Sequence, residues 1–215
     1  MRNRCSFLLV LIAASVQAEI IDRIAVRVAT EVITDSEIVQ EIRLTAFFNS
    51  EPVQMSAQQK RKTAERLIEQ HLIRREIEVS RFPAPAPSEA DAAYAQLRKK
   101  LSLDGAKLQQ ALAVYRLDEQ ELRSHVLWQL TLLRFLELRF RPAVQVPEQE
   151  IREYFERQIL PKLKAADAKQ EGVLEEFRDE IEAELIGKHV DREAEMWLKQ
   201  TRAQTAVHVH EEAFR

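Results

Sequence analysis

The sequence has 215 residues, with 32 basic against 35 acidic side chains for a net charge of −3, and holds three glycines and one cysteine. A single cysteine excludes an internal disulfide, and the slightly acidic balance gives no reason to expect a nucleic-acid partner. Gly105, Gly172 and Gly187 lie too far apart to build a phosphate-cradling loop or a G-x-S-x-G elbow. Low glycine with abundant Leu, Glu, Arg, Gln and Ala points to an α-rich fold.

The chain opens MRNRCSFLLVLIAASVQA. Arg2 and Arg4 form a positive start, Phe7 to Ala14 an apolar core short for a bilayer, and Val16-Gln17-Ala18 the small residues that a signal peptidase reads. Residues 1–18 are therefore expected to be a cleaved export signal, with an uncleaved membrane anchor as the alternative. Removing them leaves 30 basic residues against 35 acidic and takes away Cys5, which suits an oxidising compartment. The remaining 197 residues can form one good-sized domain or two small ones.

Ile24, Val26 and Val28 alternate with Ala25, Arg27 and Ala29, the period of a half-buried strand. Thr34-Asp35-Ser36-Glu37 then has the form of a capping box, which predicts a helix over about 35–48 with Ile38, Val39, Ile42 and Ala46 on one face. Ser56 and Gln59 predict the start of a second helix, with Leu67, Ile68, Leu72 and Val79 as its buried stripe. The run FPAPAP at 82–87 stops it. Ser88 restarts a helix with Ala90, Tyr94, Leu97 and Leu101 on its face, and a shorter one is expected over 104–115.

Asp118 is placed to cap the most apolar helix, about 119–140, in which ten of the fifteen residues from Val126 to Phe140 are apolar. Leu122, Val126, Leu130, Leu133 and Phe140 make one face, and Trp128, Leu132 and Phe135 a second. A helix apolar on two faces is either central or keeps one face for a partner. Pro147 then opens a helix whose face is Ile151, Tyr154, Phe155 and Ile159, ending before Pro161. Residues 162–172 read as a linker or frayed helix. A long helix over about 174–202 follows, with Phe177, Ile181, Leu185, Met196 and Trp197 as anchors. The chain then alternates again from Thr205 to His210. An isolated strand leaves its backbone groups unpaired, so the opening strand is expected to pair with the closing one in one small sheet. The fold class is mainly α, a multi-helix domain closed by a small sheet of N-terminal and C-terminal strands.

The ordered series IDRIAVRVATEVITDSEI (21–38), AERLIEQHLIRREIEV (64–79), PSEADAAYAQLRKKL (87–101), VPEQEIREYF (146–155) and EMWLKQTRAQTAVHV (195–209) resembles the non-isomerase chaperone domain of the SurA/PpiD-like periplasmic chaperones. The resemblance covers nearly all of the chain after residue 18. It implies a discontinuous domain, with 19–160 as its N-terminal part and 174–215 as the helix and strand that complete it. Segment 161–173 is then the linker where the family inserts a parvulin prolyl isomerase. Such a module needs roughly a hundred residues, so the chain resembles the chaperone domain alone. Ala29-Thr30-Glu31 stands where the family carries a glycine-bearing hairpin turn.

The implied function is that of an ATP-independent periplasmic holdase for unfolded exported proteins, above all outer-membrane β-barrel precursors. Trp128, Leu132, Phe135, Phe47 and Phe48 are the candidate client contacts, weighed against ordinary core roles. The alternatives are a structural or dimerising subunit of an envelope assembly, a homodimer included, or a vestigial prolyl isomerase; an inner-membrane anchor facing the periplasm is the alternative location. Neither a catalytic nor a metal or cofactor site is expected. His208 and His210 share one strand face without a third ligand, His71, His125 and His189 read as surface or boundary residues, and Glu175-Glu176 and Glu211-Glu212 as solvated charges.

Overall fold

A computed structural model describes residues 22–165 and 173–215. The expected export signal and most of the expected linker lie outside the described residues. Strand β1 (Ile24–Val28) turns directly into β2 (Glu31–Thr34), and nine residues after Asp35 the chain is still helical: α1 covers Asp35–Asn49 and α2 covers Ala57–Ser80. They are followed by α3 (Pro87–Lys100), α4 (Gly105–Tyr115) and α5 (Glu119–Arg139). After a short 3-10 turn come α6 (Glu148–Tyr154), α7 (Leu160–Ala165), α8 (Val173–Gln204) and β3 (Val207–Val209).

The first and last strands do pair. The sheet order is β2-β1-β3, antiparallel throughout, with Val26 opposite both Ile33 and Val209 and Arg27 opposite His208. The opening strand is not alone at the front of the chain, however, because β2 already pairs with it. Strand β2 was hidden in the sequence by its brevity and by the capping residue that ends it. The turn between them takes two residues, and Ala29 holds it with φ 52°, the left-handed conformation that glycine adopts most easily. A bulge between Ile24 and Val26 moves Ile24 outward, to 37% exposure, and turns both Ala25 and Val26 into the core.

The N-caps form where the sequence places them, although at Thr34 the reciprocal half of the expected capping box is absent among the described residues, Glu37 turning to His71 instead. Thr34 Oγ1 accepts from the Glu37 amide at 3.3 Å, and Ser56 Oγ from the Gln59 amide at 3.2 Å. Asp118 and Glu121 close a full reciprocal box, both bonds at 2.7 Å. Helix α3 begins a residue or two earlier than Ser88 implies: Pro87 takes the first helical position, and the Glu89 carboxylate accepts from the Ala86 amide at 2.6 Å. Pro161 does not end its helix. A π turn over Phe155–Ile159 joins α6 to α7, and the wider turn relieves the contact between the proline ring and the preceding carbonyls.

Four apolar cores follow one another. The sheet packs on α1 and α2 around Val26, Ile33, Ile38, Ile42, Leu67 and Ile68, and the C-terminal turn adds Phe214, 2% exposed. Leu44, Phe47, Tyr94, Leu112 and Leu122 form the second core, among α1, α3, α4 and α5. Phe135, Phe140 and Val190 form the third with Trp197 and the end of α2, and Ile151, Ile181 and Leu185 the fourth. Two anticipated anchors are not buried: Val79, near the frayed end of α2, is 74% exposed, and Met196 51%.

Of the two positions expected for His71, surface or boundary, it takes the boundary one. Its side chain is 11% exposed and lies between two carboxylates, with Nδ1 2.7 Å from Glu31 of β2 and Nε2 3.0 Å from Glu37 of α1. Glu37 therefore serves α2 through the histidine. The bond to Glu37, with that to Glu31, raises the His71 pKa above its usual value in spite of burial.

Two outcomes follow from these contacts. Phe214→Ala should cost roughly 3–5 kcal/mol by emptying a core position that no neighbour can refill, read as a large fall in the denaturation midpoint. Because the His71 pKa is raised on folding, its contribution is complete below the ordinary histidine value of 6.5 and fades as pH rises through the folded value. His71→Gln should lower stability at pH 6 by about 1–3 kcal/mol and remove that decline, which denaturation curves across pH 5.5–9 would measure.

Candidate binding cleft

Helix α5 lies between the second and third cores, and this accounts for its two apolar faces. Leu122 and Val126 point into the second; Phe135 and, just past its end, Phe140 point into the third. Phe135, 1% exposed, sits edge-on to Phe82 at 5.1 Å and Phe140 at 5.7 Å, with Trp197 also 5.7 Å away. It is a core residue and not a client contact. Phe47, 7% exposed and edge-on to Tyr115 at 5.6 Å, is core as well. Both corrections have one cause: the helix bundle closes on both sides of these rings, which a single-helix pattern cannot reveal.

The side chains left over gather elsewhere. An open cleft of about 560 Å³ runs between α1, α2, α3 and α5. Its apolar walls are Phe48 from α1, Ala93 and Leu97 from α3, and Val126, Leu130 and Leu133 from α5. Glu41, Thr45, Arg66, Gln70 and Gln129 make its polar rim. Leu133, assigned by periodicity to the core-facing stripe, is 59% exposed on the lip. Of the five sequence candidates, only Phe48 lines this cleft. Trp128 lines a smaller adjoining cavity of about 260 Å³ that shares Glu41, Gln70 and His125 with it. Leu132 is half-buried and lines neither.

The floor of this double cleft is electrostatically uneven. Phe48 stacks on the His125 imidazole with centroids 4.9 Å apart, and burial pushes that imidazole's pKa down. Burial pushes the Glu41 carboxyl up, although Arg66 stands 3.6 Å away. Arg66 also donates to Thr45 Oγ1 at 3.0 Å, and the Arg74 guanidinium lies 4.5 Å over the Trp128 ring. The buried Trp128 indole N–H and Arg66 Nε–H have no acceptor among the described residues. Among the described residues, no three or more His, Cys, Asp or Glu side chains are placed to hold a metal ion, and no helix is long and apolar enough to cross a membrane.

The missed apolar residues of the cleft are Ala93, Leu97, Val126, Leu130 and Leu133, and for those on α5 the signal that could have found them is arithmetical: the helix carries more apolar residues than one stripe needs. No protein-family model matches the chain, and no curated protein matches it.

The burial difference along α5 sets up a direct comparison. Phe135→Ala should cost roughly 3–5 kcal/mol, whereas Leu133→Ser should change stability by no more than about 0.5 kcal/mol. Chemical denaturation of the two variants beside wild type would read this; equal losses would place Leu133 in the core.

Proposed function

We propose that this protein is an ATP-independent holdase of the SurA/PpiD-like chaperone kind, exported to the periplasm, and that the cleft between α1, α2, α3 and α5 receives unfolded outer-membrane β-barrel precursors. One observation carries the reading: an open cleft with large apolar walls, Phe48, Leu97, Leu130 and Leu133, and a polar rim. Unfolded barrel strands alternate apolar and polar residues and cannot pair their backbones before insertion. An apolar wall beside charged and amide groups meets both halves of that alternation. The unpaired N–H groups of Trp128 and Arg66 also leave donors near the cleft for a client carbonyl.

The sheet that joins the first and last described segments supports the same reading, since the family resemblance implies a domain completed by its C-terminal helix and strand. The proposal involves no catalytic step: the isomerase module of the family has no room in segment 161–173.

The magnitudes suit transient capture. Each large apolar side chain fully buried on binding contributes about 1.5–3 kcal/mol, and three or four partly filled contacts bring the total near the roughly 8 kcal/mol of a micromolar complex. The test is light scattering of an unfolded outer-membrane β-barrel protein diluted from denaturant beside a several-fold excess of the mature protein. Wild type should slow aggregation markedly, and Phe48→Ser/Leu133→Ser should lose most of that protection. A wild type without effect on aggregation would sink the holdase reading.

A further inference from the structure

A second cavity, of about 550 Å³, lies on another side of the bundle, where α1, the segment before α2, the end of α4 and the C-terminal turn meet. Its charged side chains are Arg43, Lys60, Arg116 and Arg215, and every one is cationic. In a chain with more acidic than basic residues, a cavity lined by four cations and no anionic side chain stands apart from the rest of the surface. Lys60 is held by Asp35 at 2.7 Å, but Arg43, Arg116 and Arg215 form no ion pair among the described residues. Between them the lining is apolar, with Met55 40% and Val114 75% exposed and the Phe214 ring behind.

We propose that this cavity binds acidic, apolar segments of unfolded polypeptide: a peptide carboxylate held by Arg43 and Arg116, with the neighbouring apolar side chain set against Met55 and Val114. The inference rests on the reading of the protein as a binder of unfolded chains and gives that binding a charge preference. Arginine suits the task because its planar fork meets a carboxylate with two parallel bonds and is weakly hydrated. Met55 suits an irregular partner, being unbranched and adaptable. A peptide with carboxylates two residues apart, on one side of an extended strand, presents its apolar residues on the other side. Set edge-on in the open cavity, such a strand turns its carboxylates toward the cationic part of the lining and its apolar side chains toward the rest.

The test is fluorescence anisotropy of the mature protein with two labelled peptides, one alternating Glu with Val and Phe, the other carrying Gln at each Glu. The acidic peptide should bind at least about tenfold more tightly, and raising salt from about 0.05 to 0.5 M should erase most of the difference. Arg43→Glu/Arg116→Glu should abolish the preference, and Arg43→Gln/Arg116→Gln, whose thermal melt serves as the folding control, should reduce it in the same direction. Equal binding of the two peptides, or a preference that survives in the folded double variants, would overturn the proposal. So would sedimentation with anionic phospholipid vesicles that depends on Arg43 and Arg116 when acidic peptide does not bind, since the partner would then be a membrane surface. The two readings fail separately. Capture of an unfolded β-barrel protein without any acidic preference refutes this inference alone, and acidic-peptide binding without any effect on aggregation refutes the holdase alone.

Discussion

Everything in this fold hangs on the backbone of β1. Its amides and carbonyls face two neighbours, β2 on one side and β3 on the other, and buried backbone groups left unpaired would each cost as much as a lost hydrogen bond. Satisfying them fixes where the chain must return. The three residues of β3 arrive beside Val26, Arg27 and Val28, the Ala29 amide donates to the Ala206 carbonyl at 2.8 Å, and the His210 amide to Ala25 at 2.9 Å. The turn that follows then sets Phe214 and Ala213 against the same core. A strand of three residues would be marginal alone. Here it is held by the aromatic plug behind it and the helix in front.

The helix in front is α8, and its length follows from that closure. At about 1.5 Å per residue, its 32 residues extend for about 48 Å. Ile181 and Leu185 lie in the fourth core, Val190 and Trp197 serve the third, and Leu198 reaches the first. Ile186 and Ala194 add to the third core and Leu174 and Phe177 to the fourth, so α8 places four side chains in each of these two cores and one in the first. The second core alone is built without it, by α1, α3, α4 and α5, and the open cleft borders that core. The open cleft thus borders the one of the four cores that α8 does not brace.

Much of this was legible in the sequence. Strand β2 was too short to be marked in this way, but strands β1 and β3, the helix order and the caps at Thr34, Ser56 and Asp118 rest on local chemistry, where neighbours in sequence decide the outcome. So does the pairing of β1 with β3, because an unpaired strand admits few solutions. What was not legible has two physical causes. The first is burial decided between helices: Phe135 and Leu133, two residues apart on α5, change places between core and surface because the helix is wedged between two cores. The second is backbone conformation without its usual residue. Ser50, Arg81 and Arg116 end their helices at positive φ, as Ala29 turns the hairpin. Non-glycine side chains in that conformation cost about 1–2 kcal/mol each, so the left-handed conformation at these positions carries no mark in the sequence, although the helix ends themselves fall close to where the FPAPAP run and the breaks in apolar pattern place them. The cleft was half visible: Phe48 and the excess of apolar residues on α5 were apparent, but the wall contributed by α3 was not.

In the proposed holdase reading, the opposite characters of the two cavities bear on how a binder without a nucleotide cycle would let go. With no hydrolysis to drive release, the lifetime of a complex is set by affinity alone, and an association rate of about 10⁶ M⁻¹s⁻¹ with micromolar affinity gives release in about a second. A deep, dry groove that buried four large side chains completely would exceed that affinity several hundredfold, since every 1.4 kcal/mol is tenfold. The cleft between α1, α2, α3 and α5 avoids this by staying open, and by setting Glu41, Arg66, Gln70 and Gln129 beside its apolar walls. Part of what apolar contact contributes is offset by desolvating those groups. The basic cavity reaches the same moderation differently, because attraction between half-exposed charges is screened within about 8 Å at physiological salt. Two weak sites of unlike chemistry, on a frame stiffened by β1 and α8, can hold one long unfolded chain at two points while each contact opens and closes independently. In that proposed role, retention would grow with the length of chain still unfolded and end as folding or insertion withdraws the segments.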